Sequence, residues 1–227
     1  MGCGGSFPED MEKFLNASVD PSSEKYLHDD YIGGDSITRL RLTRNLFQIK
    51  EDAFIKDEDG KEVFKVVTAG GKKIIQSPEG KLVCVVVCCM RRNSCVNGID
   101  ASFEMPHEYV YSTRPYIQGQ MASEQYEVED QKLYYWARLD KTSESGATLA
   151  LNLATEKADS GEINQLFISE RYKGKVWKDG RLTFQDNKGV CIADLPTNEE
   201  YRLWIGRKVD IALFVATMIC HDFLMHT

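Results

Sequence analysis

The sequence lacks any apolar run long enough to cross a bilayer. Its two most hydrophobic stretches, Leu82–Met90 and Ile211–Cys220, fall far short of the roughly 20 residues a spanning helix needs. Both are therefore expected inside the protein. An excess of basic charge is also missing: the net charge is −7, and most of it sits at the front. Residues 1–36 carry eight acids against Lys13 and Lys25, and residues 37–227 are almost neutral. Nucleic acid is therefore not an expected partner. No signal-peptide pattern precedes the seven cysteines, so free thiols in a reducing cytosol are expected. The acceptor pattern Asn16-Ala17-Ser18 has no use in that compartment. Catalytic signatures are wanting as well. There is no Gly-x-Ser-x-Gly elbow, phosphate loop or His-Glu-x-x-His. His221, between Cys220 and Asp222, reads as a core histidine. The expectation is a protein that is not an enzyme and holds no cofactor.

Metal-ligand spacing is absent too. Cys84, Cys88, Cys89 and Cys95 contain no Cys-x-x-Cys pair. On a strand Cys84 and Cys88 share one face and Cys89 points to the other. Small buried hydrophobes are the plainest reading of these thiols, with palmitoylation next and metal or redox chemistry last. Asp57-Glu58-Asp59-Gly60 is a turn rather than a calcium loop, because Lys61 stands where a ligand should be.

What is present begins with Met1-Gly2-Cys3-Gly4-Gly5-Ser6. Gly2 and Ser6 fit the pattern for N-myristoylation, and Cys3 is a thiol beside it for a palmitoyl chain. One myristoyl chain binds membranes only reversibly, so a second chain is needed for durable attachment. The acidic residues that follow would be repelled by an anionic leaflet, so Cys3 rather than a basic patch is the expected second anchor. Residues 1–36, with Pro8, Pro21 and Gly33-Gly34, read as an acidic flexible arm. Phe14-Leu15 and Tyr26-Leu27 are its docking candidates, with a short helix possible near residues 9–16.

From Ile37 the texture becomes short strands and turns. Thr38–Thr43 alternates, with Leu40 and Leu42 on one face and Arg39 and Arg41 on the other. Ala53–Lys56 and Val63–Val67 flank a turn at Gly60. Lys73–Gln76 and Lys81–Met90 flank Ser77-Pro78-Glu79-Gly80. Further strands are expected at His107–Ser112, Lys132–Leu139, Ala147–Ala154, Gln165–Arg171, Leu182–Gln185 and Val190–Ala193. Such spacing means an all-β sandwich or barrel. Val209–Met225 then reads as a helix of about 17 residues, ~25 Å long. Ile211, Leu213, Phe214, Val215, Met218, Ile219, Phe223 and Leu224 make it apolar nearly all round. Such a helix belongs in a core or a membrane, and this one is short enough for the core of a barrel.

The run Leu40 to Ile49, then Phe54 to Val66 with its Asp-x-x-Gly turn and Val63-Phe64-Lys65-Val66, resembles the opening of LURP-one-related proteins. Ile74–Val83 occupies that family's next hairpin. Gly206, Asp210, the apolar helix and Asp222 resemble its ending. The resemblance covers about residues 37–225. It implies a mainly β fold: a closed antiparallel tubby-like β-barrel of about 12 strands around a buried C-terminal helix. The same superfamily contains phospholipid scramblases, whose palmitoylated cysteine-rich stretch Cys84 to Cys95 is similar to. Tubby domains bind phosphoinositides, so headgroup binding is the implied role, although a fold alone does not confer one.

The expected domains are residues 1–36, the arm, and 37–227, the barrel. The expected function is a membrane-tethered domain, peripheral on the cytoplasmic side of the plasma membrane. It would bind phosphoinositide-type headgroups or a protein partner; a scramblase-like lipid transporter is the alternative. Candidate headgroup residues are Arg39, Arg41, Lys72, Lys73, Arg91, Arg92, Lys173 and Lys175, each weighed against an edge-protecting role.

Overall fold

The computed structural model describes residues 8–15, 27–44, 46, 48–88, 107–115, 120, 122, 127–143, 147–155, 167–186, 189–196 and 199–224. The first hairpins are β1 (Thr38–Thr43), β2 (Ala53–Asp57), β3 (Glu62–Ala69), β4 (Lys72–Gln76) and β5 (Leu82–Cys88). They are followed by β6 (His107–Ser112), a side hairpin β7 (Glu127–Val128) and β8 (Gln131–Lys132), then β9 (Tyr134–Lys141) and β10 (Thr148–Thr155). β11 (Phe167–Val176), β12 (Leu182–Gln185), β13 (Gly189–Asp194) and β14 (Glu200–Ile205) complete the sheet. All but β7 and β8 join one closed barrel in chain order. The ring shuts where β14 pairs antiparallel with β1, from Thr38 opposite Ile205 to Thr43 opposite Glu200. Closure leaves the barrel sheet without a free edge among the described residues, so its strands need no edge-protecting lysines.

Local chemistry sets the strands. Gly60 and Gly80 adopt φ of 82° and 89° in the two tight turns, where a side chain would be strained. In β1 Leu40 and Leu42 point inward and are buried, whereas Arg41 is exposed. Two expectations are corrected. Lys132–Leu139 is not one strand, because Leu133 is buried between β8 and β9. Glu129 and Asp130 turn the side hairpin with positive φ. Glu200–Ile205, absent from the expected set, is the closing strand.

The barrel is filled by α2 (Ile211–Leu224), all of whose 14 residues are buried. Phe214 packs edge-on against Tyr172 at 5.3 Å and tilted against Phe184 at 5.7 Å. A helix enclosed by strands on all sides needs no solvent-facing polar side, which explains why it is apolar nearly all round, with Thr217, His221 and Asp222 buried like the rest. Among the described residues no helix is long and apolar enough to cross a membrane. Its ends are held by buried aspartates. Asp210 accepts from the Leu213 N–H at 2.8 Å as an N-cap and from the Leu27 N–H at 2.5 Å. Asp222 accepts from the Leu46 N–H at 3.0 Å.

A second apolar cluster lies outside the barrel, where Val128 and Leu133 of the side hairpin region pack with Ile74, Val85, Val87, Tyr111 and Tyr135. β5 is thereby buried on both faces, as its continuous Val-rich run requires. Of the first 36 residues, those described lie on the barrel. Leu15 and Leu27 are fully buried, and α1 (Met11–Phe14) is a single helical turn against β13.

Candidate functional site

The basic residues singled out by sequence do not converge. Lys72 and Lys73 lie on β4, three strands from β1, and Lys173 and Lys175 on β11, four strands away in the other direction. Lys72 donates to the Glu127 carbonyl at 3.4 Å. Lys73 is 2 % exposed; its ammonium donates to the Ile49 carbonyl and, at 2.7 Å, to Thr68 Oγ1. It shares a face with the inward Ile75, so it plugs the barrel end rather than facing solvent. The Lys175 ammonium sits 3.7 Å from the centre of the Trp177 ring. Gly2, Cys3, Cys89, Arg91, Arg92 and Cys95 lie outside the described residues, as does the Cys88 side chain.

The described thiols are enclosed. Cys84, Cys191 and Cys220 are free and buried. Burial pushes the Cys84 and Cys191 thiols well up from their ordinary pKa, which keeps them protonated and unreactive. The buried helix residues Ile211, Leu213, Phe214, Val215, Met218, Ile219 and Phe223 stand where the sequence puts them, inside the barrel. Among the described residues no group of His, Cys, Asp or Glu is placed to hold a metal.

One charged constellation does assemble, on the outer face of β14, β1 and β2. Arg202 stands directly opposite Arg41, and Arg41 opposite Lys56. The row is closed by acids at both ends, Asp194 opposite Arg202 and Glu62 opposite Lys56, so the unfavourable like-charge contacts fall on its middle, at Arg41. Arg41 is compensated only loosely: its Nε is 4.0 Å from Glu200 Oε1, and its Nη2 donates to the Glu58 carbonyl at 3.5 Å. Among the described residues neither Lys56 nor Arg202 has an ion-pair partner. One rung away, Arg39 bridges Glu12 at 2.8 Å and Glu58 at 3.2 Å, with its guanidinium 4.4 Å above the Trp204 ring.

Beside the row is a groove of about 540 Å³ lined by Arg41, Leu42, Thr43, Phe54, Lys56, Gly60, Glu199 and Glu200. Phe54 is 39 % exposed and is the exposed large hydrophobic residue among those described. The groove thus offers two cations and an aromatic ring at its rim, tempered by two glutamates. Sequence reading finds Arg39 and Arg41 but misses Lys56, Arg202 and Phe54. The alternation Tyr201, Leu203, Ile205 against Arg202 and Trp204 marks the strand that supplies Arg202.

The barrel is shared with a known structure. A crystal structure of a protein from Arabidopsis thaliana matches 89 % of this chain and 99 % of its own, with a TM-score of 0.53 and 13 % identity. At that identity the likeness concerns the fold alone, which is the architecture implied by the LURP-one resemblance. No protein-family model and no curated protein matches the sequence.

Proposed function

We propose that this chain is a non-enzymatic, membrane-tethered domain of the LURP-one/tubby-like type that binds anionic lipid headgroups, of the phosphoinositide class, at the cytosolic face of the plasma membrane. The observation that carries this reading is the row Arg202, Arg41 and Lys56 beside the exposed Phe54. Guanidinium groups match phosphate oxygens with paired hydrogen bonds, and the ring can enter the interface beside them.

Magnitudes decide what the barrel does alone. A basic residue near an anionic surface contributes about 1 kcal/mol, so three contribute about 3 kcal/mol. That corresponds to a weak, millimolar-range contact. A single myristoyl chain is itself marginal. Acylation at Gly2 and Cys3 would raise the local concentration of headgroups enough for such a weak site to be filled. Lipid transport would need α2 or β5 to enter lipid; α2 is enclosed along its whole length, which favours binding over transport.

The test is co-sedimentation of the unacylated full chain with phosphatidylcholine vesicles, with and without a phosphoinositide. The phosphoinositide should raise binding, and the triple variant Arg41→Glu, Lys56→Glu, Arg202→Glu should lower it by about 100-fold, as the loss of ~3 kcal/mol implies. Equal binding to both vesicles, or an unaffected triple variant, refutes the headgroup site. Cellular partitioning of Gly2→Ala and Cys3→Ser tests the tether separately.

A further inference from the structure

The docked segment 8–15 raises a question the barrel does not answer: why a single helical turn is held there. One turn of helix is unstable alone. Here Asp10 caps it by accepting from the Lys13 N–H at 2.9 Å. Met11, Phe14 and Leu15 then pack on Ile192, Ile37, Trp177 and Trp204. The contact is shaped. A Cβ at Gly189 would stand 2.3 Å from the Phe14 ring, so only glycine leaves the notch that the ring fills. It is also charged, because Glu12 takes one arm of Arg39.

Beneath the segment lies an outer barrel face with two tryptophans, each paired with a cation. Arg39 covers Trp204 and Lys175 covers Trp177. Tryptophans with a cation held over the ring combine the two residue types that anchor proteins at membrane interfaces. The segment over them carries Glu9, Asp10 and Glu12 against Lys13. An anionic surface repels that segment and attracts what it covers. Arg39 lies one rung from Arg41, so an anionic surface that engages the row also competes with Glu12 for Arg39.

We propose that segment 8–15 is an acidic latch over a second membrane-contact face, formed by Trp177, Ile192, Trp204 and Arg39, and that an anionic bilayer displaces the latch to insert this face. The proposal rests on the headgroup reading above. By linkage, whatever factor the bilayer gains by binding the open form is the factor by which the latch weakens binding.

The test uses the unacylated full chain and vesicles of phosphatidylcholine and phosphatidylserine with brominated acyl chains, which quench tryptophans that reach them. Phe14→Ser and Glu12→Gln should bind these vesicles about 10-fold more tightly than wild type. Bound wild type should show bromolipid quenching. The double variant Trp177→Phe, Trp204→Phe, which leaves only Trp136 inside the barrel, should show none. Gly189→Val opens the latch from the barrel side. Phe14→Ser and Glu12→Gln change only the latch, so they keep the test valid if Gly189→Val fails to fold. Latch variants that bind like wild type, or bound protein without quenching, overturn the proposal. If the Arg41/Lys56/Arg202 variant loses binding while latch variants do nothing, the latch alone falls. If no form binds these vesicles, the latch proposal falls, and the phosphoinositide vesicles described above decide the headgroup reading separately.

Discussion

Asp210→Ala should be among the most damaging single changes in this protein. The carboxylate is 4 % exposed and serves two buried donors at once. One oxygen caps α2 through the Leu213 N–H, and the other holds the Leu27 N–H. Loss of an N-cap costs about 1 kcal/mol. A buried N–H left without an acceptor costs a further ~1–3 kcal/mol. Together these give about 2–4 kcal/mol, or a drop of roughly 5–15 °C in Tm for a domain of this size. Asp210→Asn keeps one carbonyl oxygen and turns the other position into a donor facing a donor. It should lose about half as much or more, because only one N–H can be served. Equilibrium urea unfolding followed by tryptophan emission reads both. A cost under about 1 kcal/mol for Asp210→Ala, or wild-type stability for Asp210→Asn, would refute the view that this carboxylate ties the helix start to residue 27.

Two further outcomes follow from the packing. Burial, with the Asp222 carboxylate nearby, pushes Tyr201 up to about 12 from the ordinary 10. The folded protein therefore keeps the phenolic proton that the unfolded chain releases. Stability from this group is intact below about pH 10 and is lost as pH rises through about 12, a fall of about 2–3 kcal/mol. Tyr201→Phe should flatten the alkaline arm of stability against pH, and an unchanged slope would contradict it. Gly174 faces inward, and a Cβ there would meet Phe184 at 2.7 Å and Leu149 at 2.8 Å. Gly174→Ala should cost about 1–3 kcal/mol by overpacking. Gly34→Ala, where nothing lies within 4 Å, should stay within about 0.5 kcal/mol, measured by the same unfolding curves.

The barrel is legible because its determinants are local. Leu40 and Leu42 alternate with arginines, Gly60 and Gly80 sit where turns need positive φ, and the helix has no polar face. Its start is less legible: the uninterrupted run reads as helical from Val209, whereas Asp210 caps a helix that begins at Ile211. The candidate site is less legible because its register is not local. Arg41 and Arg202 are far apart in sequence, and only barrel closure sets them opposite each other. Lys73 shows a second limit: a lysine pair at a strand start does not reveal which member turns inward. Here the shared face with Ile75 decides it, and the Ile49 carbonyl and Thr68 hydroxyl make the burial tolerable. Phe14-Leu15 is legible as a docking pair, but the outer face it docks on, with Trp177 and Trp204, is set by strand register and no local pattern announces it.

The position of α2 in the chain has a consequence for synthesis. Every barrel strand emerges from the ribosome before the helix that fills them, and the first barrel strand waits for the last to close the ring. Until residue 224 is made, the inward faces of twelve strands lack the helix that fills the space between them. A chain broken off before Ile211 is therefore left with a hollow, sticky sheet for quality-control machinery to find, and the arrival of Ile211–Leu224 is what hides it.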